Sequence, residues 1–288
     1  MRIVYFLLVH KNPEQVSRLV ERLYSPADYF YIHKDKGKPW QGWETISQKY
    51  RGGNVVLASK YRIGRKFPGR GGRGGYPGDF ELILATLDGM NWCRTFDYDY
   101  FIFLSGQCYP IKPLTMIKDE LVRRNVAYME YFKLPSTHWA GENGGLDRIN
   151  YYYITIWRKN IRVPRLNKTL PYSLVPYGGS LYFCLPKRFV NYALDYMSSH
   201  PAIVRFYRWS RLASEMFFQT IIMNSPLGSD VVNDHKRYFR WERTHTSILS
   251  KRDFEELVAS QKWFAKKFDI DFDKDILDLL DREVHAVS

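Results

Sequence analysis

Tyr100-Phe101-Ile102-Phe103-Leu104-Ser105-Gly106-Gln107-Cys108-Tyr109-Pro110-Ile111-Lys112 is the stretch on which the fold turns. An unbroken apolar run that stops at serine, glycine and, shortly after, proline reads as a short buried strand closing on a polar turn. The glycine lets backbone approach a neighbour or a ligand, and Pro110 stiffens the exit. Taken alone, such a turn is more often purely structural. Toward the N terminus the same grammar repeats. Ile3 to Val9 is apolar, His10-Lys11-Asn12 follows, and Pro13 opens a run in which Val16, Leu19, Val20 and Leu23 recur at helical spacing, with Asn12 placed as cap. Tyr29 to His33 is a further strand, ending in Lys34, Asp35 and Lys36; Asn54 to Ala58 is a third, and Phe80 to Met90 reads as a helix. Strands and helices alternating over short connections predict an α/β fold, a mostly parallel sheet flanked by helices, with residues 1–120 as a nucleotide-binding lobe.

Toward the C terminus the character changes. Aromatics become denser, and the pattern predicts a strand at Ser180 to Leu185, helices at Lys187 to Met197 and Glu215 to Met223, and an amphipathic stretch from Asp253 to Asp281. Neither a low-complexity linker nor an internal repeat separates the halves, so residues 1–288 are read as a single two-lobed domain, with 121–288 as the acceptor-binding and catalytic lobe.

Composition narrows the class. With 45% hydrophobic residues the chain is globular, which excludes disordered, collagen-like and coiled-coil classes. Its 17% aromatic content suits sugar-binding clefts as well as cores. Lys and Arg number 43 against 30 Asp and Glu, and the net charge of +13 favours an anionic ligand, an anionic membrane surface or nucleic acid. Cys93, Cys108 and Cys184 are far apart and odd in number, so neither a disulfide framework nor a zinc ribbon is expected. The Ile3 to Val9 run lacks a cleavage pattern and no run reaches the roughly 18 apolar residues of a membrane span, so the expected location is cytoplasmic, with any membrane contact peripheral, at the cytoplasmic face.

In open α/β sheets ligands gather beyond the carboxyl ends of strands, which here means His10, the Lys34 to Lys36 turn and the Ser105 to Pro110 turn. Six pieces in order then carry a resemblance: Leu8-Val9-His10-Lys11, Ile32-His33-Lys34-Asp35-Lys36, Tyr100 to Lys112, Gly178-Gly179-Ser180-Leu181-Tyr182-Phe183, Ser214-Glu215-Met216-Phe217-Phe218 and Phe264-Ala265-Lys266-Lys267-Phe268-Asp269. Together they resemble the Core-2/I-branching β-1,6-N-acetylglucosaminyltransferases and the related peptide O-xylosyltransferases. The resemblance runs from about Ile3 to Asp281. It implies a GT-A-like fold, a UDP-sugar co-substrate (UDP-GlcNAc first, UDP-xylose next), a glycan or glycolipid acceptor, inversion at the anomeric carbon, and no cofactor or essential metal, basic side chains holding the leaving diphosphate instead.

Glu215 aligns with that family's catalytic base, which takes the proton of the attacking acceptor hydroxyl. Read without the family, a Glu early in a helix is commonly no more than a cap, although Leu212 three residues before it cannot complete a capping box. Lys267 aligns with the basic residue on the donor diphosphate, and Arg243 is the substitute for an arginine whose match is otherwise missing. His10, His33, Asp35, Ser105, Gly106 and Gln107 fall where the family surrounds the donor; an Asp in a turn equally caps backbone. Glu130 is expected to bond acceptor hydroxyls, with Tyr182, Trp209 and Trp241 as stacking faces. Asp97-Tyr98-Asp99 precedes its strand rather than following it, and Asp269, Asp271 and Asp273 lack the glycine of a calcium loop, so neither is read as a metal site.

A rival reading comes from Arg62 to Gly78, RIGRKFPGRGGRGGYPG, which resembles RGG segments that bind single-stranded nucleic acid. Its place just before the Phe80 helix instead matches an enlarged loop near the donor pocket. A sugar-binding protein without activity is a third class, opposed by the presence of both Glu215 and Lys267.

Overall fold

The computed structural model describes residues 1–50, 54–63, 79–139, 142–156, 159–242 and 245–284. Strand β1 (Ile3–Val9) is buried nearly throughout, as a strand covered on both faces must be. Helix α1 (Pro13–Leu23) turns Val16, Leu19, Val20 and Leu23 inward, and Asn12 stands at its N-cap in the left-handed region. The Asn12 amide does not cap; it donates to the Asp269 carboxylate (2.9 Å). β2 (Tyr29–Lys34), α2 (Glu44–Lys49), β3 (Val55–Ala58), α3 (Asp79–Trp92) and β4 (Tyr100–Ser105) continue the alternation.

β5 (Cys108–Pro110), α4 (Leu114–Arg124), β6 (Ala127–Met129) and β7 (Phe132–Lys133) lead to a short α5 (Asp147–Asn150) and an antiparallel ribbon of β8 (Tyr151–Ile156) and β9 (Lys159–Asn167). β10 (Tyr177–Gly178), β11 (Phe183–Pro186), α6 (Lys187–Ser199) and α7 (Pro201–Arg208) come next. A 3-10 turn over Ala213–Glu215 precedes α8 (Phe217–Met223) and β12 (Val231–Val232). The chain closes with β13 (Arg237–Phe239), the hairpin of β14 (Trp241–Glu242) and β15 (His245–Thr246), α9 (Phe254–Ala259), β16 (Phe264–Lys266) and α10 (Asp275–Glu283).

Seven strands form the main sheet in the order β12-β6-β11-β4-β1-β2-β3. Every pairing is parallel except the two made by β11, which runs against β4 and β6. The start of β11 therefore lies beside the carboxyl ends of its neighbours, with Phe183 opposite Met129. The aromatic-rich strands pack ring on ring: Phe6 stacks on Phe101 at 5.9 Å and meets Phe103 edge-on at 4.9 Å. A smaller sheet, β13-β16-β5, is tied to the large one by buried Arg237, whose guanidinium donates to the Phe103 carbonyl (2.6 Å) and Cys184 Sγ (3.1 Å). Among the described residues no helix is long and apolar enough to cross a membrane.

Three local expectations change. The strand expected from Ser180 starts only at Phe183, because Gly179 and Ser180 are engaged by Glu215 and Gln219 instead of by a sheet neighbour. The helix expected from Glu215 begins at Phe217; Leu212, with φ of 53°, and the 3-10 turn set Glu215 outside it. The stretch from Asp253 to Asp281 is interrupted, since Phe264–Lys266 is captured as the central strand between β13 and β5. Most of Arg62 to Gly78, on which the nucleic-acid reading stands, lies outside the described residues.

Candidate active site

The carboxyl edge of the sheet gathers the residues that carry chemistry. Glu130 follows β6, and the Gly178 to Tyr182 segment leads into β11 from the same edge. The Gly179 N–H donates to the Glu215 carbonyl (2.9 Å), so the 3-10 turn is docked on this segment. A Cβ on Gly179 would overlap the Glu130 carbonyl, so only glycine lets these backbones close up. From the other side, Asp79 at the start of α3 accepts hydrogen bonds from the Ser214 N–H (3.1 Å) and hydroxyl. Glu215 is thus fixed by its backbone and its neighbour, while its side chain stays 33% exposed.

Burial and neighbouring charges both act on this carboxyl. Burial pushes the Glu215 pKa up to about 7, helped by Asp79 and Glu130 and opposed by Arg148 and Lys266. Asp79 is itself pushed up to about 6 by burial, against the hydrogen bonds from Ser214 and Ala213. Burial likewise raises Glu130, whose carboxylate accepts the Ser180 N–H. Two cations answer these acids. The Arg148 guanidinium stands 4.0 Å from the Glu215 carboxylate and lies flat on Trp139, 3.6 Å from its ring centre. Trp139 is hemmed by Gly145 and Gly178, where added Cβ atoms would lie 2.6 Å from the indole. Lys266, on β16, donates to the Tyr182 hydroxyl (2.5 Å). Burial works against its charge, but Tyr182, Cys108 and Glu215 hold it, and its pKa stays above the ordinary lysine value.

The structure therefore brings together Glu215 and Glu130, and adds Lys266, Asp79, Trp139 and Arg148, which the sequence reading did not place in the site. Lys266 and its neighbour Lys267 are both half-buried; Lys266 is coupled electrostatically to Glu215, and the Lys267 carbonyl accepts the Leu249 N–H (2.8 Å). Arg243 lies outside the described residues. Tyr182 is 4% exposed, packed against Phe103 and Phe239, so it offers a hydroxyl to Lys266 and no open ring face to a sugar. Trp209 lines a different cavity, between α7 and the β8–β9 ribbon. Trp241 is exposed on the β14–β15 hairpin.

The donor-side residues are largely engaged by the protein itself. Gly106 packs on α1, where a Cβ would press on Val16 and Val9, and its carbonyl accepts the Gln15 amide (2.9 Å). Gln107 is buried and donates to the Phe268 carbonyl (3.2 Å), and Ser105 lies 3.3 Å from the Cys108 sulfur. Gly106 and Gln107 thus form a junction between α1, β4 and the segment after β16, and the Gln107 side chain is engaged there. His33 is fully buried; burial lowers its pKa to about 4, and Nε2 accepts the Tyr61 N–H (3.2 Å). Asp35 accepts the N–H groups of Gly37 (2.8 Å) and Ile63 (3.0 Å), which makes it a backbone cap holding the strand that leaves β3. His10 is half-buried at the carboxyl end of β1, as expected. Among the described residues no group of three or more His, Cys, Asp or Glu side chains is arranged to hold a metal ion.

Glu215, with its raised pKa, lies with Glu130 and the cations Arg148 and Lys266 at the carboxyl edge of an α/β sheet. The family model for the Core-2/I-branching enzyme matches residues 3–259, and the chain belongs to that family. It is similar to xylosyltransferase 2 of Rattus norvegicus (27% identity, 99% of this chain, 34% of that protein) and of Homo sapiens (26%, 99% and 34%). It is also similar to xylosyltransferase 1 of Homo sapiens (25%, 98% and 30%). The chain spans about a third of the length of these relatives. Among solved structures, S. aureus TarS aligns over 97% of this chain and 39% of its own at 10% identity, with a TM-score of 0.42 that carries no argument.

Proposed function

We propose that the protein is an inverting glycosyltransferase that moves a sugar from a UDP-sugar to a hydroxyl of a glycan acceptor, with Glu215 as general base. The observation that carries this reading is the Glu215 carboxyl itself, one-third exposed and raised to about 7, with Arg148 at 4.0 Å. In the proposed step Glu215 takes the proton of an acceptor hydroxyl, the oxygen attacks the anomeric carbon, and the nucleotide diphosphate leaves from the opposite face with the bonding electron pair. Glu130, at the same sheet edge, orients acceptor hydroxyls. A departing diphosphate needs positive charge placed in advance. Lys267 supplies it in this reading, as the motif alignment has it, with Lys266 next to it in the chain, and no step is assigned to a metal.

The donor sugar has two readings. The family motif favours GlcNAc, whereas the names of the most similar relatives favour xylose. Melting the purified chain with UDP-GlcNAc, UDP-xylose and UDP, each with EDTA and with manganese, tests both points. Stabilisation by one sugar nucleotide and transfer that survives EDTA are the expected results; turnover that appears only with manganese contradicts the metal-free step.

A further inference from the structure

The charge of this chain is concentrated. From Arg148 to Ser214 there are eleven Lys and Arg residues and a single carboxylate, Asp195, so most of the net +13 falls in this stretch. The β8–β9 ribbon and α7 both come from it. Helical spacing puts Ala202, Arg205, Phe206 and Trp209 on one face of α7 and its C-cap. That face, opposite Tyr152 and Lys168, encloses a cavity of about 390 Å³. Trp209 is 43% exposed there, and small Ala202 leaves room beside it. The Lys168 ammonium donates to the Phe206 carbonyl (2.8 Å) and the Ser210 hydroxyl (2.7 Å) and sits 4.2 Å from the Phe206 ring centre. Burial lowers its pKa to about 7.

Lys168 and Thr169 also wall a second cavity of about 510 Å³, which reaches Leu146 and Ile149. Ile149 follows Arg148, the residue beside Glu215, and residues 209–215 join the Trp209 wall to Glu215 itself. The backbone bonds Tyr153 N–H to Trp209 carbonyl (3.0 Å) and Arg211 N–H to Arg148 carbonyl (2.8 Å) hold this strap to the ribbon. An exposed indole beside a guanidinium, in a cavity with a half-buried ammonium, suits one ligand class: a sugar ring with an anionic substituent, its apolar face on the indole and its acid on the cations.

We propose that these two cavities bind the non-reacting part of an acidic saccharide acceptor, with a carboxylated or sulfated sugar unit on Trp209 held by Arg205 and Lys168. The proposal rests on the reading of Glu215 as the transfer site and names the acceptor class for it. Calorimetry of the full chain at 0.15 M salt tests it with three probes: a tetrasaccharide of alternating glucuronate and N-acetylglucosamine, its carboxyl-reduced neutral form, and a sulfated tetrasaccharide. Tighter binding of either acidic probe than of the neutral one is expected, and the tighter of the two identifies the anionic group. Trp209→Ala and Arg205→Ala should each weaken it at least tenfold, with UDP affinity and melting temperature unchanged. Equal binding of neutral and acidic probes, unaltered binding in both variants, or equal competition by oligouridylate would overturn the proposal. If the variants behave as expected but no sugar is transferred to any probe, the transfer reading fails while the binding site stands; Glu215→Gln, which should keep saccharide binding, separates the two.

Discussion

At the scale of the residue, Glu215 is governed by its surroundings. A carboxyl raised to about 7 is half protonated at neutral pH, and only the ionised form can accept a proton from an alcohol. Transfer under kcat/KM conditions should therefore rise about tenfold per pH unit below 7 and level off above it, as a single ionisation requires. A profile flat from pH 5 to 8 would contradict the role. The same shift has a consequence for stability. A carboxyl harder to ionise when folded penalises the folded state once it is charged, so the penalty is present above pH 7 and absent below the unfolded value of about 4.5. Glu215→Gln should accordingly raise the melting temperature at pH 8 and leave it nearly unchanged at pH 4, a comparison that calorimetry makes directly. Arg148 is the other decisive side chain. Its stacking on Trp139 is of the kind worth up to about 2 kcal/mol when desolvated. Trp139→Ala should release it and lower kcat/KM by about tenfold with a smaller change in donor affinity.

At the scale of the element, the site exists because a few short segments meet with no room to spare. Gly179 is the tightest point: any side chain there would displace Glu130 or the turn carrying Glu215. Gly179→Ala should cost more than about 3 kcal/mol in denaturant unfolding, or fold with transfer abolished; a neutral effect on both would contradict the packing described. Elements also show where sequence reading stops. Helix α1 and strands β1, β2 and β4 were legible because burial imposes a clean period on them. The segment after Asp253 was not, because strand β16 is created by partners more than a hundred residues away in β5, a pairing no local period encodes. That pairing places Lys266 opposite Cys108 and couples it to Glu215, whereas the motif points to its neighbour Lys267. Glu215 was found through its motif. Arg148 was not, since its place depends on stacking with Trp139, which is hemmed by nearby Gly145 and by Gly178, thirty residues beyond Arg148. Asp79 opens α3 and reads locally as a helix-start acid; only the fold brings it to Ser214. Gly106 and Gln107 show the converse: their motif is legible, but packing against α1 and Phe268 occupies them.

At the scale of the whole molecule, the antiparallel insertion of β11 into an otherwise parallel sheet places Glu130, Gly179 and Tyr182 along one carboxyl edge, the edge at which open α/β sheets bind ligands. A ligand held there should stabilise the entire fold by mass action. At a hundred times its dissociation constant a sugar nucleotide adds about 2.7 kcal/mol, a rise on the order of 5 °C in melting temperature for a chain of this size. No shift with any nucleotide sugar would remove the donor from the account. The uneven charge belongs to this scale too: the basic residues of the β8–β9 ribbon and α7 lie on the segments that lead to Glu215, whereas Lys187 and Arg188 sit at the opposite end of the sheet, against Phe96 and Asn125.

The most direct test is single-turnover transfer from the preferred UDP-sugar by the wild-type chain and by Glu215→Gln, with donor affinity measured on the same preparations. A loss of about 10² to 10⁴ in the rate of transfer at unchanged donor affinity is the predicted result, the range expected for removal of a general base. Transfer by Glu215→Gln within a few fold of wild type would show that the proton goes elsewhere.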